Sequence, residues 1–321
     1  LRVFVATSMK LNNICVFGIG GVGGYFGGRI AYQIAQEQPG ARKIFFIARG
    51  EHLAQIQSQG LILNTSERQG LIYKPALATD TISDIPTPDI YLVCVKSYDL
   101  AGAVNAISKN MNPDTIILPL LNGVDIYERI RQTLQTGIVL PACVYVGTQI
   151  EKPGVVTQKG GDGVIICGQD PHTPAFNPQE LTDLFTHLNI NFTWKDDPYP
   201  DIWGKYLFIS AFGLVTAYSG KTLGEVMADR ATQELVRQIM GEVVAIAEQK
   251  GIKLPEQSIA TAMAKANNFP YDTRTSYQRD VEIKGKKNEE DLFGETIVRM
   301  GQAWGVPTPV TQSVFSRIRS L

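Results

Sequence analysis

Gly18-Ile19-Gly20-Gly21-Val22-Gly23 has the residue types and spacing of the GxGxxG turn that cradles a dinucleotide. In such a turn the first glycine permits the tight bend, the second lets backbone N–H groups approach a pyrophosphate, and the third lets the following helix pack closely. The pyrophosphate then rests on the positive end of that helix. Further along stand polar residues able to work in the same crevice: Arg49, Lys96, Asn122, Lys205, Ser276 and Glu289. A lysine can give a proton to a developing alkoxide, and a serine hydroxyl can hydrogen-bond a carboxylate. Each also has an ordinary role. An acid such as Glu289 is favoured in a first helical turn by the macrodipole alone, and Ser276 serves equally well as a cap or turn residue. Lys96 suits a solvated strand end, and Asn122-Gly123 is a common turn.

The elements that must hold these residues follow from the apolar pattern. A short strand over residues 14–17 runs into the glycine turn, and Ile30, Ala31 and Ile34 continue it as a helix. Residues 43–48, KIFFIA, read as a second parallel strand because they are short and almost continuously apolar. NAD-selective sites place an acid at the end of that strand, whereas this one ends Ala48-Arg49-Gly50 and offers a guanidinium to a 2′-phosphate. NADP(H) is the expected cofactor; the competing assignment makes Arg49 a surface residue and gives the ribose to Glu51.

Additional β structure is expected over residues 61–79, and parallel strands at 89–95, 115–121 and 138–146. Ligands of open parallel sheets bind beyond the carboxyl ends of the strands, which directs Arg49, Lys96 and Asn122 to one crevice. Glycine and β-branched residues over 154–168 suggest a hairpin closing the sheet, followed by a helix at 179–188 and a last strand at 190–194.

The run DDPYPD at 196–201 punctuates the chain, and everything after it has helical period. The expected fold is therefore α/β: a Rossmann-type, doubly wound, mostly parallel sheet over residues 11–196, then an all-helical domain over 197–321. That second domain opens on a helix to Tyr218 whose residues 205, 209, 213 and 216 share one face, a wall for a site. Leu235, Ile239, Val243 and Ile246 form a core stripe that stops at Gly251. A helix at 255–265 and a polar stretch at 273–280 follow. The last long helix starts near 288–291 and ends at Gly305, with Pro307 and Pro309 behind it.

The chain has 321 residues, 44% of them hydrophobic, enough for a substantial core and about two domains. A net charge of −1 gives no global attraction to nucleic acid or to an acidic membrane. No run approaches the roughly 18 apolar residues of a spanning helix. Cys15, Cys94, Cys143 and Cys167 lie in apolar runs without metal-ligand spacing, as buried thiols in a reducing compartment do. No metal site is expected. Residues 1–10 read as an extension outside the fold, and the protein as cytoplasmic. Its expected partner is a small 2-keto acid, with a homodimer compatible with the sequence and neither nucleic acid nor membrane involved.

From Ile14 onward the chain resembles the ketopantoate reductases (2-dehydropantoate 2-reductases). The likeness rests on an ordered series: GIGGVGG, Arg49, LVCVKSYD with Lys96, LLNGVD with Asn122, and DIWGKYL with Lys205. It continues through TSYQRDVEIKGKKNEED and GVPTP, which place Ser276, Asp280, Glu289 and Asp291. The resemblance implies NADPH-dependent reduction of ketopantoate to pantoate, with Lys205 as general acid. It implies further that Glu289 holds the substrate, that Ser276 contacts its carboxylate, and that Lys96 and Asn122 line the crevice.

Three departures stand out. Ile209 and Gly213 occupy positions where the family usually has asparagines, and Asp125 replaces a frequent glycine. The loss of two amides bears on the substrate more than on the reaction. Reductases of a different 2-keto acid, or a non-catalytic dinucleotide sensor of the same fold, are the alternative functions.

Overall fold

A computed structural model describes residues 11–320, so the expected extension at residues 1–10 lies outside the described residues. The chain forms two compact units. The first covers residues 11–95, 99–121 and 126–198; the second covers Lys96–Tyr98, Asn122–Asp125 and residues 199–320. Two short loops that the sequence assigns to the first domain thus group with the second unit.

The first unit contains β1 (Asn13–Phe17), α1 (Gly21–Ile34), β2 (Lys43–Ile47), α2 (Gly50–Gln59), β3 (Leu61–Asn64), β4 (Leu71–Tyr73) and β5 (Leu77–Thr79). It continues with β6 (Ile90–Val93), α3 (Leu100–Ile107), β7 (Ile116–Pro119), α4 (Ile126–Arg131) and β8 (Ile138–Val139). The last elements are β9 (Ala142–Lys152), β10 (Val155–Gly168), α5 (Gln179–His187) and β11 (Asn191–Lys195).

Six of the strands make a parallel sheet in the order β5-β2-β1-β6-β7-β8, the doubly wound arrangement with β1 beside the switch point. β6 and β7 are buried along their whole length, which is why their sequences show no alternation.

The expected single strand over 138–146 is two strands in two sheets. Pro141, which has no N–H to donate, interrupts the ladder after β8. β9 then leaves to pair antiparallel with β10. The expected hairpin therefore does not close the first sheet. It builds a second one, ordered β11-β10-β3-β4 with β9 on β10.

Helix α1 lies against both sheets, and its glycines set how closely. A Cβ on Gly24 would fall 2.6 Å from Val156 Cγ2, and one on Gly28 would fall 3.1 Å from Leu63 and Tyr73, all in the second sheet. On the other side, a Cβ on Gly27 would fall 2.9 Å from the Phe46 ring of β2. Only a helix without side chains at these positions fits the gap.

Asp170, fully buried, anchors the loop after β10. It accepts from Arg131, Tyr127 Oη at 2.8 Å, Val139 N at 2.9 Å and His172 N at 2.9 Å, which makes the buried charge tolerable. Cys15, Cys143 and Cys167 are buried free thiols and Cys94 is half-buried. Burial pushes the thiols of Cys15, Cys94 and Cys167 up.

The second unit is helical: α6 (Tyr199–Ser219), α7 (Leu223–Ala228), α8 (Arg230–Gln249), α9 (Ser258–Ala266) and α10 (Ser276–Val281). A π-helical turn at Asp291–Glu295 follows, then α11 (Thr296–Trp304) and α12 (Pro309–Ile318). α6 is its axis, packed by α8, α9, α10 and α12. Its buried hydroxyls are satisfied internally: Ser210 Oγ donates to Tyr206 O and Thr216 Oγ1 to Phe212 O, both at 2.7 Å.

The core stripe of α8 holds at Ile239, Val243 and Ile246, with Val236 and Met240 joining it. The expected long helix from 288 is divided into the π turn and α11. The stop at Gly305 holds, with that glycine as the left-handed C-cap of α11, and Pro309 behind it also starts a further helix. No helix among the described residues is long and apolar enough to cross a membrane.

Candidate active site

The glycine turn is built by the end of β1. Gly18 has φ +97°, and a Cβ there would meet Val95 and the Cys94 backbone at about 3 Å. Its N–H and that of Ile19 both donate to Ile47 O, at 2.9 and 3.3 Å, tying the turn to β2. A Cβ on Gly23 would fall 2.0 Å from Gly18 O, so the helix can begin this close only with glycine there.

Gly20 behaves differently: nothing lies within 4 Å of where its Cβ would be. α1 starts at Gly21 with Gly20 as its N-cap and no side chain capping it. An open face at Gly20 over uncapped helical N–H groups is what a pyrophosphate needs. The side chain of Ile19 is buried, so it offers backbone alone, and Val22 is half-buried. A Cβ on Gly21 would fall 2.7 Å from Thr148 Oγ1 of β9.

Arg49 caps α2 at the carboxyl end of β2 with its side chain 77% exposed. Its Nη2 donates to Asp99 Oδ2 at 2.5 Å. Glu51, its competitor for the ribose, is exposed in the first turn of α2.

Within the second unit, two groups of predicted residues come together. Lys96 Nζ donates to Glu289 Oε2 at 2.7 Å and to Asp280 Oδ2 at 3.2 Å. Glu289 is 4% exposed, and its other oxygen accepts from Ser97 N at 3.2 Å. Ser97 Oγ in turn donates to Asp291 Oδ1 at 2.7 Å. Burial acts to lower Lys96, but the charge and hydrogen bond of Glu289, and then those of Asp280, outweigh it and hold the ammonium above its ordinary value. Burial acts to raise Asp280, and the hydrogen bonds and charges of Lys286 and Lys96 outweigh that and hold its carboxyl below the usual range.

The second group is Lys205, early on α6, with Nζ donating to Asn122 Oδ1 at 2.6 Å. The loop carrying Asn122 is held by Asp125, the departure noted above, which is buried and accepts from Arg299 of α11.

Ser276 is placed in neither group. It is the exposed first residue of α10, beside the N-cap Thr275, whose side chain accepts from Gln278 N at 3.2 Å. Glu289 stands just before Glu290, the N-cap of the π turn, not in a first helical turn, and its carbonyl accepts from Leu292 N and Phe293 N.

Gly213 does not contribute a wall. A Cβ there would lie 3.0 Å from the Phe293 ring, which stacks on Tyr277, so an amide side chain would have no room. The π turn is what carries Phe293 into that place. Among the described residues no cluster of His, Cys, Asp or Glu could hold a metal ion.

Sequence reasoning passed over Ser97, Asp99, Arg299 and the part played by Asp280. Adjacency to Lys96 was a usable signal for Ser97. The others had none, since their partners lie far away in the chain.

The chain matches the family model of ketopantoate reductase PanE/ApbA over residues 14–171 and that family's C-terminal model over residues 198–321. It is 24% identical to a 2-dehydropantoate 2-reductase of Mesorhizobium japonicum over 328 aligned positions, covering 96% of this chain and 97% of the relative. Among solved structures it superposes on a PanE/ApbA family ketopantoate reductase of Ralstonia eutropha with a TM-score of 0.85 and 26% identity, covering 96% and 97% of the two chains. A D-mandelate dehydrogenase solved with NADH and anilino(oxo)acetate shares the fold, with a TM-score of 0.83, 19% identity and 96% and 97% coverage.

Proposed function

The chain belongs to the ketopantoate reductase family, and from that premise we propose that it reduces 2-dehydropantoate to pantoate with NADPH, in the cytoplasmic route to pantothenate and coenzyme A. The observation that carries the reading is the Lys205 ammonium held on Asn122 Oδ1 at 2.6 Å. An amide oxygen fixes the amine without neutralising it.

When bound, the reduced nicotinamide supplies a hydride to the keto carbon. Lys205 Nζ hydrogen-bonds the keto oxygen as negative charge develops there and gives it the proton. Glu289, kept in place by Lys96 and Ser97, orients the substrate hydroxyl. Residues 18–23 and the start of α1 hold the pyrophosphate, and Arg49 takes the 2′-phosphate.

A second reading keeps the reaction and changes the acid. Phe293 occupies the space beside Gly213 where the family usually has an amide, and Ile209 replaces the other, which favours a less polar 2-keto acid. A retained proton donor argues against a pure sensor.

Absorbance of the reduced nicotinamide, followed with ketopantoate and with a panel of apolar and aromatic 2-keto acids, tests all three. Turnover of ketopantoate at the highest kcat/KM supports the first reading. A better apolar substrate supports the second, and dinucleotide binding with no turnover of any acid defeats both.

A further inference from the structure

The acid that NAD-selective sites place at the end of the second strand is missing here, where β2 runs into Ala48, Arg49 and Gly50. The fold brings one from elsewhere. β1 is flanked by β2 on one side and β6 on the other, so the segments after those two strands stand on either side of the glycine turn. Arg49 comes from the first and Asp99 from the second, and they meet with Nη2 to Oδ2 at 2.5 Å. Asp99 is the N-cap residue of α3, yet its side chain makes no capping bond. Its carboxylate is turned to Arg49 instead. The arginine side chain is 77% exposed and that of Asp99 26% exposed, so an incoming nucleotide meets the guanidinium with a carboxylate already on it.

We propose that Asp99 opposes Arg49 in the choice of cofactor: its carboxylate disfavours a 2′-phosphate and accepts a hydrogen bond from an unphosphorylated 2′-hydroxyl. The inference rests on the reading of Arg49 as the 2′-phosphate ligand. A phosphate monoester brings close to two negative charges at neutral pH. At Arg49 it must displace Asp99 or share the guanidinium with it, and like charges so close repel. A ribose hydroxyl brings no charge and has a proton to donate. The arginine alone would make the chain strongly selective for NADPH, and Asp99 moderates that selectivity and keeps NADH usable.

Binding of NADPH and of NADH to the full chain, followed by nicotinamide fluorescence, tests this without turnover. Asp99→Asn should tighten NADPH on the order of threefold to tenfold, as expected for a half-screened charge pair, and leave NADH equal or weaker. The gain should shrink as salt is raised. Asp99→Ser, which keeps a good cap for α3, should behave the same way and covers a folding failure of the first variant.

NADPH binding that is unchanged or weaker in these variants overturns the proposal, because Asp99 would then merely be holding Arg49 for the phosphate. Arg49→Ala separates the two levels. A ratio of NADPH to NADH affinity that does not move in Arg49→Ala overturns the reading of Arg49 and this inference together. A ratio that collapses there while Asp99→Asn has no effect overturns this inference alone.

Discussion

A lysine that must surrender a proton as charge develops needs a partner that fixes it and does not take the proton first. Asn122 meets that requirement for Lys205, whereas Lys96 is pinned between two carboxylates and held above its ordinary pKa, a state suited to positioning rather than to giving up a proton. Lys205→Ala should therefore lower kcat by roughly a hundredfold or more and leave the NADPH dissociation constant little changed. Pre-steady-state turnover and equilibrium titration on the same variant check both halves. Near-normal kcat at saturating ligands would move the donor role elsewhere. The places of Lys205, on the first helix of the second domain, and of Asn122, at an Asn-Gly strand end, were legible in the sequence. The ion pairs around the candidate site were not. Asp99 is 50 residues from Arg49, and Asp125 is 174 from Arg299, and a single chain carries no mark of such pairings.

Elements were legible where one physical cause acted alone. Continuous apolar runs named β1, β2, β6 and β7, since strands buried on both faces have no other pattern. They failed where causes competed. Residues 138–146 are apolar throughout, and only the missing N–H of Pro141 makes them two strands in two sheets. Pro309 lies behind the stop at Gly305, but a proline also suits the first turn of a helix, and here it begins α12 as well.

The glycines of α1 allow a quantitative check at this scale. Alanine in place of a helical glycine gains up to about 1 kcal/mol from propensity. At Gly24 the new Cβ would lie 2.6 Å from a fully buried Val156, and overpacking costs about 1–3 kcal/mol. Gly24→Ala should be destabilising by up to about 2 kcal/mol net, from the difference of those two terms. Gly102, in α3, has nothing within 4 Å, so Gly102→Ala should stabilise by up to about 1 kcal/mol. Urea midpoints of the two variants with equal m-values decide it, and a stabilising Gly24→Ala would mean that α1 is not confined by the second sheet.

Across the whole molecule, His52, Asp170 and Asp280 weaken the fold on the acid side. His52 lies on α2 with Nδ1 accepting from Gly154 N at 3.0 Å; burial lowers its pKa, against a smaller raising effect of the Ile19 backbone. A base with a depressed folded pKa contributes stability that is complete above its unfolded value, near 6.5, and is lost as pH falls through the folded value.

Asp170 and Asp280, one in each unit, follow the same rule lower down. Burial acts to raise both, but for Asp170 the amides of His172 and Val139, Tyr127 and Arg131 win, and for Asp280 the two lysines do, so both are held below the usual range. Their contribution is complete above about 3.9 and is lost as pH drops through their folded values. Lys96, held high, loses its contribution only as pH rises through a value above about 10.4.

The stability of the chain should thus be level between about pH 7 and 8, above which the unfolded chain begins to ionise the thiols that the fold keeps neutral, decline gently from about 6.5, and fall steeply below about 4. Urea midpoints measured from pH 9 to 3 give the curve. His52→Gln should remove the gentle limb while leaving the steep one, and Asp170→Asn should lower stability at pH 7 and flatten the steep limb. A midpoint that holds constant from pH 7 to 5 in the parent chain would show that His52 is not kept neutral by its burial between α2 and the β9–β10 turn.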